Sequence, residues 1–254
     1  VPTPLHTEIA LAVLESDVRA IYQEKPIASS LADADRMVEA CRRAGVPLAV
    51  NHSRRTDQFY AKARELIEEN VIGQLQSLIV FFSGNLMLTG THAFDMLNFL
   101  AGDSPIVRMA GHLDSKPGFD PGGTAYVLFE SGVRGLVHGS TDSAVRFRIH
   151  AVGTTGEIVI GNFDLELWRV NEASYRRELL KHPFPQILPS VAAEMALLGQ
   201  LLDAVDGGPP PISNGDTATR SLEAVVALHC SSLLGGEWVD FPDGLDRDLV
   251  VPSL

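Results

Sequence analysis

Two side chains in this sequence are of types, and in settings, that suit proton transfer: Lys25 and His92. Lys25 lies in Glu24-Lys25-Pro26, which follows Arg19-Ala20-Ile21-Tyr22, a short β-prone run, and precedes a helical pattern from Leu31 to Ala44. A lysine at the C-terminal end of a parallel strand points into the crevice where open α/β sheets take their ligands. Pro26 has no N–H and a fixed φ, so the strand stops there. Most lysines are simply solvated; the neighbouring motifs are what single this one out. His92 lies in Gly90-Thr91-His92-Ala93-Phe94-Asp95. Oxidising a secondary alcohol requires a base for the hydroxyl proton while hydride leaves the carbon, and an imidazole titrates near working pH. A partly buried Lys25 beside that hydroxyl lowers its pKa through charge. Asp95 has two readings that its spacing does not separate. It orients His92, as carboxylates do for catalytic imidazoles, or it belongs to a structural salt bridge.

Further candidates stand at another strand end, in Val50-Asn51-His52-Ser53-Arg54-Arg55. Arg55 suits a carboxylate or a polyol oxygen, or equally a structural ion pair. His6, after Thr3-Pro4, either touches the crevice or faces solvent. His112, His182 and His229 have no ligand-like spacing, and no metal site is expected.

Taken in order, Thr3-Pro4-Leu5-His6, Glu24-Lys25-Pro26, Val50 to Arg55, Gly90 to Asp95 and Gly235-Gly236-Glu237-Trp238-Val239-Asp240-Phe241-Pro242 resemble the Gfo/Idh/MocA family of NAD(P)-dependent oxidoreductases over nearly the whole chain. The resemblance implies Lys25 and His92 as the catalytic pair and Asn51, Arg55 and Asp95 as substrate contacts. It implies Thr3, Pro4, His6, Glu24, Lys25 and Pro26 as the residues towards NAD or NADP. The implied substrate is a sugar, an inositol or a related polyol. Many relatives also carry an aspartate four residues before the histidine. Here that position is Leu88, and Asn85, Met87 and Thr89 restore no carboxylate, so the Lys–Asp–His set is incomplete.

The family's Gly-x-Gly-x-x-Gly turn does not occur in the sequence. That turn and its helix N-terminus anchor the pyrophosphate, so these residues alone are expected to bind NAD(P) weakly or not at all. Gly153-Thr154-Thr155-Gly156 joins two strand-like runs and reads as a hairpin turn. The start, Val1-Pro2-Thr3-Pro4, reads as the end of a strand, and residues 1–52 as the second half of a dinucleotide-binding domain.

Length and composition exclude several classes. A chain of 254 residues can bury a substantial core, and 45% hydrophobic with 20% charged residues is ordinary for a globular protein. A formal net charge of −12 argues against a nucleic-acid partner and an anionic membrane surface. No apolar run is long enough for a membrane span, and no signal peptide is recognisable. Cys41 and Cys230, each inside a helical pattern, read as buried thiols in a reducing, cytoplasmic setting.

Around the candidates, periodicity predicts a helix over Pro4–Glu15 with Thr3 as N-cap. A strand is predicted over Arg19–Gln23, a helix over Leu31–Ala44 between Ser30 and Gly45, and a strand over Leu48–Asn51. A helix over Asp57–Asn70 and a strand over Leu75–Phe82 follow. Short strands joined by glycine turns then run from Ala125 to Val170, with helices near Phe94–Leu100, Val191–Val205 and Thr217–Leu234. The fold class is α/β plus α+β: a partial Rossmann-like parallel sheet over 1–52, then a mostly antiparallel open sheet with helices over 53–254. Tyr126, Arg134, His138, Arg146, Arg148 and His150 share the polar face of that sheet by period-two alternation. Such a face is either solvated or a subunit interface, and the second reading predicts a homo-oligomer. Besides the oxidoreductase, two other functions fit: a cofactor-independent lyase or isomerase, and a non-catalytic binding or assembly subunit.

Overall fold

The computed structural model describes residues 1–114, 120–144, 146–162, 165–187 and 190–252. The first unit is α1 (His6–Leu14), β1 (Ile21–Gln23), α2 (Leu31–Ala44) and β2 (Leu48–Val50). β1 and β2 pair in parallel with Tyr22 opposite Ala49. α2 has the bounds its pattern predicts. Ser30 accepts from the Asp33 N–H at its start, and Gly45 closes it with φ +66°, a left-handed angle that costs glycine little. The start of α1 differs from expectation. Thr3–Leu5 forms a 3₁₀ turn behind Pro2, and Thr3 makes no side-chain cap, so the α-helix begins only at His6.

The turn Ser53–Arg55 leads into α3 (Gln58–Glu68), whose N-terminus Asp57 caps by accepting from Phe59 and Tyr60. β3 (Leu75–Ser83) follows, then a single π-helical turn, Leu86–Gly90, that runs directly into α4 (Thr91–Leu100). Gly90 has an ordinary helical φ of −62°. It is small for packing: a Cβ there would lie 3.1 Å from Leu86 Cδ2 and 3.2 Å from Phe82 Cζ.

The large sheet continues with β4 (Ile106–Leu113), β5 (Gly123–Phe129), β6 (Arg134–Ser140), β7 (Phe147–Gly153), β8 (Gly156–Gly161), β9 (Leu165–Val170) and β10 (Leu179–His182). Helices α5 (Ala193–Val205) and α6 (Gly215–Leu233) and the short β11 (Val239–Asp240) complete the chain. The strand order is β10-β9-β8-β7-β3-β6-β5-β4-β11. All neighbours are antiparallel except β3 and β6, which are parallel. β4, β10 and β11 were not legible as strands. β11 is two residues long, β10 is largely exposed, and β4 is broken by a register shift beside Ile106.

Alternation on β6 and β7 sorts the faces as the sequence indicates. Gly135, Val137, Phe147, Ile149 and Ala151 are buried, while Arg134, Leu136 and His138 face outward. α4 and α6 cover the buried face. One hydrophobic cluster runs from Ala10 in α1 through both sheets to Val251.

Candidate active site

The ends of β1 and β2 open onto a cleft of about 600 Å³, whose other walls come from α3, α4, the end of β8 and α5. Lys25 and His92 both line it, although they lie on different elements. The Lys25 side chain is half-buried and its Nζ donates to the Leu88 carbonyl at 2.5 Å. Burial holds the Lys25 ammonium below its ordinary pKa; Glu24 and Asp120 oppose that and Arg54 adds to it. His92 is held well below 6.5, first by burial and then by His52, Arg54 and Lys25. At neutral pH its imidazole is therefore an uncharged acceptor. Asn51 lines the same cleft, donating to Glu24 at 2.8 Å and accepting from the Tyr22 hydroxyl at 3.0 Å.

Six of the sequence assignments do not line this cleft: Arg55, Asp95, His6, Thr3, Pro4 and Pro26. Arg55 is sealed in the interior, 2% exposed, with Nε 2.8 Å from Asp95 and Nη2 2.9 Å from Asp103. The arginine on the cleft wall is its neighbour Arg54, whose guanidinium sits 4.3 Å over the Phe147 ring. A short 3₁₀ turn decides between adjacent residues here, and side-chain type carries no signal for it. Asp95 is fully buried: it pairs with Arg55 and accepts from the Ser221 hydroxyl at 3.3 Å. It does not reach His92 directly. Instead its Oδ1 is 3.6 Å from Nδ1 of His52, and the His52 ring meets the His92 ring edge-on with centroids 5.3 Å apart.

His6 neither faces solvent nor opens on this cleft. It is buried, with Nδ1 2.9 Å from the Pro26 carbonyl and Nε2 3.1 Å from that of Val1, so it ties α1 to the loop carrying Lys25. Thr3 and Pro4 lie outside the cleft, Glu24 lines it and Pro26 is buried behind it.

Leu88 leaves no apolar spot beside the lysine. Its side chain points outward, 59% exposed, and its carbonyl is what Lys25 binds. A carboxylate near Lys25 comes instead from Asp120, whose two oxygens accept the Met87 N–H at 3.0 and 3.1 Å. Burial pushes the Asp120 carboxyl up to about 6, against the opposing pull of the Met87, Leu88 and Leu86 N–H groups and of Lys25. Asp120-Pro121-Gly122-Gly123 reads locally as turn chemistry, which hides this residue from sequence inspection. Among the described residues, no group of three His, Cys, Asp or Glu side chains is placed to hold a metal ion.

A nicotinamide dinucleotide fits these residues at one end only. Glu24, Lys25 and Asn51 present charged and amide groups at parallel strand ends, where such sheets meet ligands. For the pyrophosphate, α1 offers a start without a side-chain cap and no glycine turn.

The profile described as "Oxidoreductase family, NAD-binding Rossmann fold" matches residues 1–52, and the "GFO/IDH/MocA C-terminal domain" matches residues 82–159. The chain belongs to the Gfo/Idh/MocA family. Among its relatives, the myo-inositol 2-dehydrogenase of Thermotoga maritima is 27% identical over 63% of this chain and 54% of its own length. The 1,5-anhydro-D-fructose reductase of Ensifer adhaerens is 28% identical over 91% of this chain and 75% of its own. The 2,7-anhydro-N-acetylneuraminate hydratase of Escherichia coli is 30% identical over 46% of this chain and 37% of its own. The chain thus spans about half the length of several curated relatives that it matches. The inositol dehydrogenase homolog from Azotobacter vinelandii, solved with NADH and myo-inositol, superposes with a TM-score of 0.80 at 17% identity, covering 95% of this chain and 76% of that one. A likeness at that identity speaks for the fold.

Proposed function

We propose that this chain carries the substrate half of an NAD(P)-dependent oxidoreductase acting on a sugar, an inositol or a related polyol. The observation that carries the reading is the convergence of Lys25 and His92, from separate elements, in one polar cleft. His92, neutral at pH 7, takes the hydroxyl proton. Lys25 holds the oxygen and stabilises its developing negative charge. Asn51, Glu24 and Arg54 supply the amide, carboxylate and guanidinium that fix further hydroxyls. The dinucleotide, where bound, supplies the hydride chemistry. The relatives named for myo-inositol and 1,5-anhydro-D-fructose support the substrate class. The 254 residues alone bind NAD(P) weakly, since among the described residues α1 starts without a side-chain cap and no glycine turn precedes it to grip the pyrophosphate. Titration calorimetry checks this; a low-micromolar Kd, about −8 kcal/mol, would overturn it. The cytoplasm is the setting that suits Cys41 and Cys230, both free and buried. The open face of the large sheet joins copies of the chain into a homo-oligomer.

The test uses the protein together with a complete dinucleotide-binding half and a panel of inositols and sugars. Lys25→Met and His92→Gln are each expected to lower polyol-dependent NAD(P) reduction about 10²–10⁴-fold. Variants that keep the parent rate would remove both residues from the chemistry. One relative favours a second reading, in which the same pair moves protons in a lyase without net redox change: it is named a hydratase. Elimination of water from a sugar substrate with no NAD(P) turnover would select it.

A further inference from the structure

His52 follows β2 and packs over the first turn of α4, touching both His92 and Asp95, which lie three residues apart on one helix face. It is fully buried, and neither ring nitrogen has a hydrogen-bond partner among the described residues. Of the two nitrogens of His92, Nδ1 is likewise sealed and unpartnered, while the residue itself lines the cleft. Three sealed ring nitrogens therefore sit within one pair of imidazoles. Leaving all of them without a partner is expensive, because a buried donor or acceptor loses its water and gains nothing.

The protons can be assigned from the ends inward. His52 Nδ1 is the nitrogen beside the Asp95 carboxylate, at 3.6 Å, so a proton there faces a negative charge and a lone pair there would be repelled. With its proton on Nδ1, neutral His52 has only a lone pair on Nε2 and a π face to offer its neighbour. The His52 ring packs edge-on against the His92 ring, so a lone pair on the sealed His92 Nδ1 has no donor on that neighbour, whereas an N–H has an acceptor. Burial and the cations Arg55, Lys25 and Arg54 around His52 keep it neutral against the pull of Asp95, so this arrangement holds at physiological pH.

We propose that His52, anchored on Asp95, is the positioning residue that keeps the His92 proton on Nδ1 and so turns the Nε2 lone pair towards the cleft. The inference rests on reading His92 as the base, since Nε2 must be unprotonated to accept a hydroxyl proton. Asp95 then acts on His92 through an intervening imidazole.

Long-range ¹H–¹⁵N correlation NMR of the ¹⁵N-histidine-labelled chain at pH 7.5 reads the tautomers directly. The parent chain is expected to show His92 as Nδ1–H with an unprotonated Nε2, and His52 as Nδ1–H. In His52→Phe, which keeps the ring volume and removes the acceptor, His92 is expected to move towards the Nε2–H form favoured by free histidine. His52→Gln, which keeps an acceptor oxygen, is expected to retain Nδ1–H. Nε2–H on His92 in the parent chain overturns the proposal, and needs no variant to fold. So does an Nδ1–H signal unchanged in a folded His52→Phe. A His92→Gln enzyme with unimpaired turnover would remove the base reading and leave the tautomer result standing, so the two failures are distinguishable.

Discussion

Arg55 and Asp95 are both sealed from water, and a charge stranded at either position costs far more than an exposed one. Replacing one partner of such a pair strands the other. Arg55→Met is expected to lower stability by about 3–5 kcal/mol, and Asp95→Asn by less because Arg55 keeps Asp103 at 2.9 Å, each seen as an earlier urea midpoint. Changes within a few tenths of a kcal/mol would show that the pair is dispensable. At the cleft, the depressed pKa of His92 has a direct kinetic consequence. A base with lowered pKa stays unprotonated further into acid, so the acid limb of kcat/KM for polyol oxidation is expected below pH 6.5 in the cofactor-complete protein. An acid limb at or above pH 7 would mean that another group is the base.

At the scale of elements, the π turn ahead of α4 is held from two sides. Asp120 accepts the Met87 N–H, and Lys25 donates to the Leu88 carbonyl. Asp120 keeps its proton up to about pH 6, whereas an unfolded aspartate loses it near 3.8. The folded chain therefore binds more protons in that window, and this group makes stability fall as pH rises through it. Two pKa units correspond to roughly 3 kcal/mol. Asp120→Asn, which keeps an acceptor oxygen for Met87, is expected to stabilise the chain at pH 8 by up to that amount and to change little at pH 4. Equal shifts at both pH values would contradict the burial argument. In the large sheet, Phe82 lies opposite Gly139 in register, and a Cβ on Gly139 would overlap the buried Phe82 ring. Gly139→Ala should cost about 1–3 kcal/mol by overpacking, checked by thermal or urea unfolding.

Across the whole molecule, the two sheets share one core because the C-terminal third returns to the first unit. Ser213 accepts from the Val50 N–H at 3.1 Å, Val251 donates to the Ser29 carbonyl at 2.9 Å, and Arg247 forms an ion pair with Asp35. The other side of the large sheet stays open. Leu136 is 42% exposed at its centre, beside Arg134 and His138, and Trp238 rests edge-on against Tyr126 at 5.6 Å. Aromatic and arginine side chains around an exposed leucine suit a protein–protein surface. Light scattering should show an oligomer at micromolar protein, and Leu136→Glu should shift it towards monomer. A parent chain that is monomeric throughout would refute the interface.

The sequence by itself determined what local rules govern. Ser30 and Gly45 bound α2 because a cap and a left-handed residue act within one turn of the chain. Alternation on β6 and β7 declared the buried face, because successive side chains point to opposite sides. Lys25 and Asn51 were legible as strand ends because Pro26 and the turn after Val50 stop the pairing there. Tertiary structure alone decided the partners. Arg55 meets Asp95 across 40 residues, Met87 meets Asp120 across 33 and Lys25 meets Leu88 across 63. No period or cap encodes such distances. They are set when both faces of α4 are packed, and that packing sends Arg55 inward, leaves Arg54 on the cleft and places His52 between His92 and Asp95.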